Sequence, residues 1–190
     1  MSSPSLLSSD SDFTVTMARP FIKWAGGKSR LIDQYKPFLP TAYTRYHEPF
    51  LGGGALFFHL APQLHSQEKK AFLSDLNPEL VNVYTCVRDR VEELIEQLLR
   101  HQELHDKTHY YEVRAQLQTA PVARAARFIY LNKTCFNGLY RENSKGLFNV
   151  PIGRYKNPKI CAPDLLRPAS AALQIADISE RPFTAIAARA

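Results

Sequence analysis

The sequence predicts an α/β protein built on parallel strands and interrupted by a mostly helical insertion that ends in a basic loop. Three observations predict it. Thr44–Phe50 (TRYHEPF) and Lys70–Asp75 (KAFLSD) read as short strands, separated by a glycine-rich turn and the apolar segment ALFFHLAPQL. That is the order of a βαβ unit, and hence of a parallel sheet. From Val91 to Leu131 the periodicity turns helical, with Val91, Leu94, Ile95, Leu98 and Leu99 recurring on one face. Between Lys133 and Ile160, six basic residues stand against one acidic, so +5 of the formal net charge of +6 lies in 28 positions.

Composition sets the outer bounds. Of 190 residues, 45% are hydrophobic and 22% charged, which suffices for a buried core and argues against disorder. No apolar run approaches the roughly 20 residues that cross a bilayer. Cys86, Cys135 and Cys161 are odd in number and widely spaced, so neither a disulfide framework nor a CxxC metal site is expected. The Ser-rich residues 1–17 lack a basic segment followed by an apolar one; they read as a disordered tail of a cytoplasmic protein, with Met17 a second candidate start. Residues 18–90 and 161–190 are expected to form one domain, and 91–160 the insertion.

The elements follow in order. Phe21–Lys28 (FIKWAGGK) holds the one tryptophan, two glycines and two lysines. It reads either as a basic turn capped by a buried indole, or as a ligand segment in which Trp24 packs an adenine or methionine group and Lys28 meets a carboxylate. Glu48-Pro49-Phe50-Leu51-Gly52-Gly53-Gly54 joins the first strand to its helix, where glycines let backbone and ligand approach closely. A dinucleotide fingerprint would need glycine at Phe57, and a P-loop would need it at Ile22, so both fail. What remains is the shorter acidic-Pro-Phe-x-Gly-x-Gly turn used for S-adenosylmethionine. Asp75, 21 residues beyond Gly54 at the tip of the second strand, is placed to bond ribose hydroxyls. Asn77-Pro78 starts the next helix. In the basic loop, Phe136, Tyr140, Phe148 and Tyr155 alternate with the cations, and Asn137-Gly138 and Ser144-Lys145-Gly146 mark turns. Cations that meet phosphates beside aromatics that meet bases favour nucleic acid as the partner. LLRPASAALQIADI returns to helix and strand, and Arg181–Ala190 reads as a helix.

Four stretches in order, KWAGGK, EPFLGGG, SDLNPEL and FIYLNKTCFNGLYRENSKGLFNVPIGRYKNP, resemble the Dam-type, D12 class of adenine-specific DNA methyltransferases. The resemblance runs from about Arg19 to the C-terminus. It implies a Rossmann-like, S-adenosylmethionine-dependent methyltransferase sheet with an inserted helical DNA-recognition domain, acting on adenine N6 in double-stranded DNA. Trp24, Lys28, Glu48, Pro49, Phe50, Gly52, Gly54 and Asp75 match the family's cofactor positions. Phe136, Asn137, Leu139, Arg141, Arg154 and Tyr155 match its DNA-contacting positions, with Arg141 reading guanine in a GATC-like target. The family's catalytic DPPY motif, in any of its DPPY, NPPY or SPPY forms, is absent from the 190 residues, and Asp177 is expected to serve a strand end or a helix cap instead of catalysis. The sheet is therefore expected to be incomplete and the chain truncated and inactive alone. A C-terminal fragment bearing the motif is then a further expected partner. The alternative is a non-catalytic DNA-binding remnant of such an enzyme.

Overall fold

The computed structural model describes Val15 and residues 18–188. The disordered tail expected over residues 1–17 falls outside these, apart from Val15, which is buried against the core. After Phe21 and Ile22, both buried, three short turns of helix run from Lys28 to Phe38 around α1 (Ile32–Tyr35). β1 (Tyr46–Glu48) leads through the glycine turn into α2 (Ala55–Ser66), and β2 (Ala71–Asp75) leads into α3 (Pro78–Asp89). β1 is shorter than the sequence suggests, because Pro49 has no N–H to continue a ladder. α3 starts where expected: the Asn77 Oδ1 accepts the N–H groups of Glu79 (3.0 Å) and Leu80 (3.1 Å), with Pro78 in the first position.

Three helices follow, α4 (Val91–Glu103), α5 (Lys107–Ala115) and α6 (Pro121–Thr134), then the basic loop, α7 (Pro163–Leu173) and β3 (Ala176–Glu180). The strands are all parallel in the order β1-β2-β3, with Tyr46, Ala71 and Ala176 in one row and Glu48, Leu73 and Ile178 in another. Among the described residues β1 pairs with β2 alone. Asp177 lies inside β3, in register with Phe72 rather than at the strand end.

α3 is the hinge of the architecture. It packs on β2 and β3 and on α4, α6 and α7, and its Glu79 accepts the Arg124 Nε–H of α6 at 3.1 Å. The buried side chains accordingly form one cluster running from sheet to insertion. Within the insertion, Tyr130 of α6 is ringed by three imidazoles: His101 stacks on it at 4.8 Å, His105 Nδ1 lies 2.9 Å from its hydroxyl, and His109 meets it edge-on. Burial, with His109 close by, pushes the His101 imidazole down to about 4.

The C-terminal segment differs from the sequence expectation. Of the helix expected over Arg181–Ala190, Phe183–Ala188 form a 3-10 helix opened by the Ala185 N–H donating to the Pro182 carbonyl (3.0 Å), and residues 189–190 lie outside the described residues. Phe183 stacks on Phe50 at 5.6 Å. No helix among the described residues is long and apolar enough to cross a membrane, and no group of three or more His, Cys, Asp or Glu side chains among them could hold a metal. All three cysteines are buried and unpaired.

Candidate cofactor pocket and nucleic-acid interface

Strand, turn and helix bring the predicted pocket residues to one cleft of about 240 Å³. Trp24, Lys28, Glu48, Phe50, Gly52, Gly54 and Asp75 line it together with Ala25, Gly26, Gly27 and Gly53. Pro49 does not: it lines a separate depression with Phe72, Leu73 and Arg181, and its part in the turn is to end β1.

The turn itself has no room for side chains. Gly52 and Gly54 stand at φ of +49° and +67°, in the left-handed region. A Cβ at Gly52 would approach the Trp24 ring to 2.8 Å, and one at Gly54 would meet the Tyr84 hydroxyl at 2.7 Å. Trp24 thus covers the turn from one side and Tyr84 supports it from the other, its buried hydroxyl donating to the Gly52 carbonyl at 3.1 Å. Tyr84 is a residue that sequence reasoning missed. The signal for it was only an aromatic in the apolar row of α3, which reads as ordinary core.

Two carboxylates hold the turn between β1 and β2. Asp75 accepts the Gly52 N–H through Oδ2 (3.0 Å) and the Asn77 N–H through Oδ1 (3.0 Å), so the tip of β2 is pinned to the turn. Glu48, 7% exposed, accepts from the Tyr46 hydroxyl (2.8 Å) and from the Phe57 N–H (3.1 Å) in the first turn of α2. It therefore satisfies one of the orphan donors at that helix start. Burial pushes the Glu48 carboxyl up to about 7, against the opposing pull of the Tyr46 bond, the Lys28 charge and the Phe57 N–H.

The basic loop is a hairpin with sparse pairing. Cys135 bridges Ile152 and Glu142 bridges Phe148, both antiparallel. Its tip is closed by Asn143, whose Oδ1 accepts the Lys145 (2.9 Å) and Leu147 (3.1 Å) N–H groups. Phe136, Asn137, Leu139, Arg141, Arg154 and Tyr155 are all exposed. Asn137 takes a left-handed conformation at φ +54°. The Arg141 Nε–H donates to Asn149 Oδ1 at 2.7 Å, so its guanidinium is held before any ligand arrives. Tyr155 accepts from Lys23 Nζ at 3.0 Å, with the same ammonium 4.1 Å from its ring centre. In the sequence Lys23 stands only as part of a basic turn, and nothing local places it beside a tyrosine 132 positions away.

The cleft and the loop therefore present a glycine cradle beside two carboxylates, and a cationic, aromatic surface some distance along the chain. Residues 24–190 match the model of the D12 class N6 adenine-specific DNA methyltransferases. The chain is 46% identical over 158 residues to the type II methyltransferase M1.LlaDCHI of Lactococcus lactis subsp. cremoris, covering 80% of this chain and 54% of that protein. It is 45% identical to the type II methyltransferase M.MjaIII of Methanocaldococcus jannaschii, over 75% of this chain and 54% of the relative. For the DNA adenine methylase of Haemophilus influenzae the identity is 41%, over 73% of this chain and 48% of the relative. The chain thus spans about half the length of the curated relatives it matches. With most of its length matched at such identity, the chain belongs to the D12 class N6 adenine-specific DNA methyltransferase family.

Proposed function

We propose that this chain supplies the S-adenosylmethionine pocket and the DNA-reading loop of a site-specific methyltransferase that modifies adenine N6 in double-stranded DNA. The observation that carries the reading is the glycine cradle: at both Gly52 and Gly54 a Cβ would collide with the ring or hydroxyl that encloses the turn, beside a cleft rimmed by Glu48, Asp75 and Lys28. A flat, polar ligand fits such a cradle, because backbone can approach it where side chains cannot.

Each residue of the rim has a task that follows from its chemistry. Asp75 spends one lone pair of each oxygen on the N–H groups of Gly52 and Asn77 and keeps the others for ribose hydroxyls. Lys28 provides a cation for a carboxylate, and Glu48 an anion for an ammonium or sulfonium group. When bound, the cofactor contributes an electrophilic methyl on positively charged sulfur. The adenine amine is stacked and paired inside a duplex, so the target base must leave the stack to reach the cleft. The loop's part is to hold and read the flanking duplex, Arg141 against base edges and Lys156 against phosphate.

No DPPY, NPPY or SPPY stands among the 190 residues, so the group that would orient the amine is not supplied by such a motif here. We therefore assign these residues binding and recognition, without methyl transfer by this chain alone. The second reading is a non-catalytic DNA-binding remnant of such an enzyme, and the transfer of label separates the two.

Purified chain, incubated with labelled S-adenosylmethionine and with unmethylated and hemimethylated duplexes, is expected to retain cofactor and DNA without moving label into DNA. Label in the DNA would overturn the insufficiency of these residues and the remnant reading together. Failure to retain either ligand would overturn the functional assignment. Within the loop, Arg141→Ala is expected to weaken binding to the target by about 1–3 kcal/mol while sparing random DNA. Lys156→Ala is expected to weaken both alike and to lower the salt slope by about one. Equal losses in fluorescence-anisotropy titrations would contradict this division of roles. Tyr84→Phe, which removes only the hydroxyl beneath Gly52, is expected to cost about 1 kcal/mol of stability in urea unfolding.

A further inference from the structure

The cleft and the reading loop are far apart in sequence, yet one buried side chain is bonded both to the loop and to the residue that precedes a wall of the cleft. Asn132 lies in the last turn of α6 at 3% exposure. Its Oδ1 accepts the Lys23 N–H at 2.8 Å, and its Nδ2 donates to the carbonyls of Lys23 (2.7 Å) and Gly138 (3.1 Å). Lys23 is the residue before Trp24, a wall of the cleft. Gly138 sits in the loop between Asn137 and Leu139. A buried amide is costly unless bonded, and here all three bonds leave the helix that carries it.

The clamp is tight from the loop side as well. Gly138 is at φ +64°, and a Cβ there would stand 2.4 Å from Lys23 Cδ and 2.7 Å from Lys23 Cβ. A second contact runs alongside the first: the Trp24 ring stacks on Tyr140 of the loop at 5.7 Å, and Tyr140 packs on Phe148 at 5.9 Å. The segment 23–24 is therefore tied to residues 138–140 by hydrogen bonds and a ring stack.

We propose that Asn132 is a positioning residue that couples the two sites, so that a filled cleft fixes the loop for DNA and bound DNA in turn fixes the wall of the cleft. This rests on the cofactor and DNA assignments made above. The physical basis is shared ordering: whichever ligand binds first restrains the Lys23–Asn132–Gly138 clamp, and the second no longer bears that entropic cost. Thermodynamic linkage makes the effect equal in both directions.

The test measures the affinity of the purified chain for a short GATC-containing duplex with and without saturating S-adenosylhomocysteine, and then the reverse titration. For the unmodified chain each ligand is expected to tighten the other about tenfold, within the usual range for coupled sites. Asn132→Ala and Gly138→Ala, which open the clamp from opposite sides, are each expected to bring that ratio within about twofold of unity. A merely structural role would shift both affinities and leave their ratio untouched. A ratio of one in the unmodified chain, or a retained ratio in either folded variant, overturns the proposal. Binding of neither ligand by the unmodified chain overturns the functional assignment and the coupling together, whereas binding of both at a ratio of one overturns the coupling alone. Hydrogen exchange on the unmodified chain keeps the test independent of variant folding. S-adenosylhomocysteine is expected to slow the Lys23 amide and those of residues 136–140, and unchanged exchange there would refute the coupling.

Discussion

Cofactor affinity is expected to increase as pH rises through about 7, and Glu48→Gln is expected to abolish that dependence. Burial holds the Glu48 carboxyl up to about 7 in the free protein, from 4.5 ordinarily. Below that pH the cleft offers a neutral acid, and above it an anion. A ligand bearing a cationic sulfonium or ammonium prefers the anion, so binding releases a proton in the transition region. The charge-assisted interaction that a neutral glutamine cannot make is worth about 1.5–3 kcal/mol, or roughly 10- to 100-fold in affinity above the transition. Calorimetric titrations near the transition, in buffers of different ionisation enthalpy, read the proton release directly. Identical pH profiles for the two proteins would contradict the assignment of Glu48.

The free protein carries the opposite sign. A carboxyl raised on folding contributes stability that is complete below its unfolded value of 4.5 and is lost as pH rises through about 7. The full span is on the order of 3 kcal/mol. Denaturant midpoints of the ligand-free chain should therefore fall across that window, and those of Glu48→Gln should fall less. Cofactor is expected to offset the loss, since the proposed contact is to the ionised form.

The second large effect is expected at Gly54. Gly54→Val places a branched side chain at φ +67°, with its Cβ 2.7 Å from the Tyr84 hydroxyl and 3.1 Å from the Phe58 ring. Backbone strain in the left-handed region costs about 1–2 kcal/mol, and overpacking a closed core about 1–3 kcal/mol more. A loss of about 2–5 kcal/mol in urea unfolding, with cofactor binding abolished at any folded fraction, is the expected outcome. Gly26→Ala makes a suitable control. That glycine is also at positive φ, +74°, but a Cβ there meets nothing within 4 Å, so only the strain remains. Equal destabilisation by the two substitutions would show that the cradle's close packing is not what Gly54 is needed for.

The βαβ order, the Asn77 cap and the glycine turn are legible in the sequence, because each is set by residues within a few positions of one another. The cleft is legible for a related reason: Glu48, Gly54 and Asp75 stand at strand and helix ends, whose places follow from the order of elements. What stays hidden depends on contacts across the fold. Tyr84 under Gly52, Lys23 on Tyr155 and Asn132 on Lys23 pair across 32, 132 and 109 positions, and no local pattern encodes such pairings. Asn132 does leave a trace, as a polar residue closing the buried run Phe128, Ile129, Tyr130 and Leu131, but a trace of burial does not name the bonded partner. The C-terminal 3-10 helix escapes a reading of the sequence because alanine-rich sequence favours an α-helix, whereas Pro182 and the stacking of Phe183 on Phe50 fix a tighter turn.

Trp24 has an optical consequence. It is the only indole in the 190 residues, and its ring lies against the glycine turn on one side and near Tyr140 and Phe128 on the other. Selectively excited emission from this chain therefore originates at one place, the seam between cleft and loop. Quenching, spectral shift and anisotropy report on that seam without a label, and Tyr140 is a neighbouring donor for energy transfer. The protein carries its own probe at the point where its two surfaces meet.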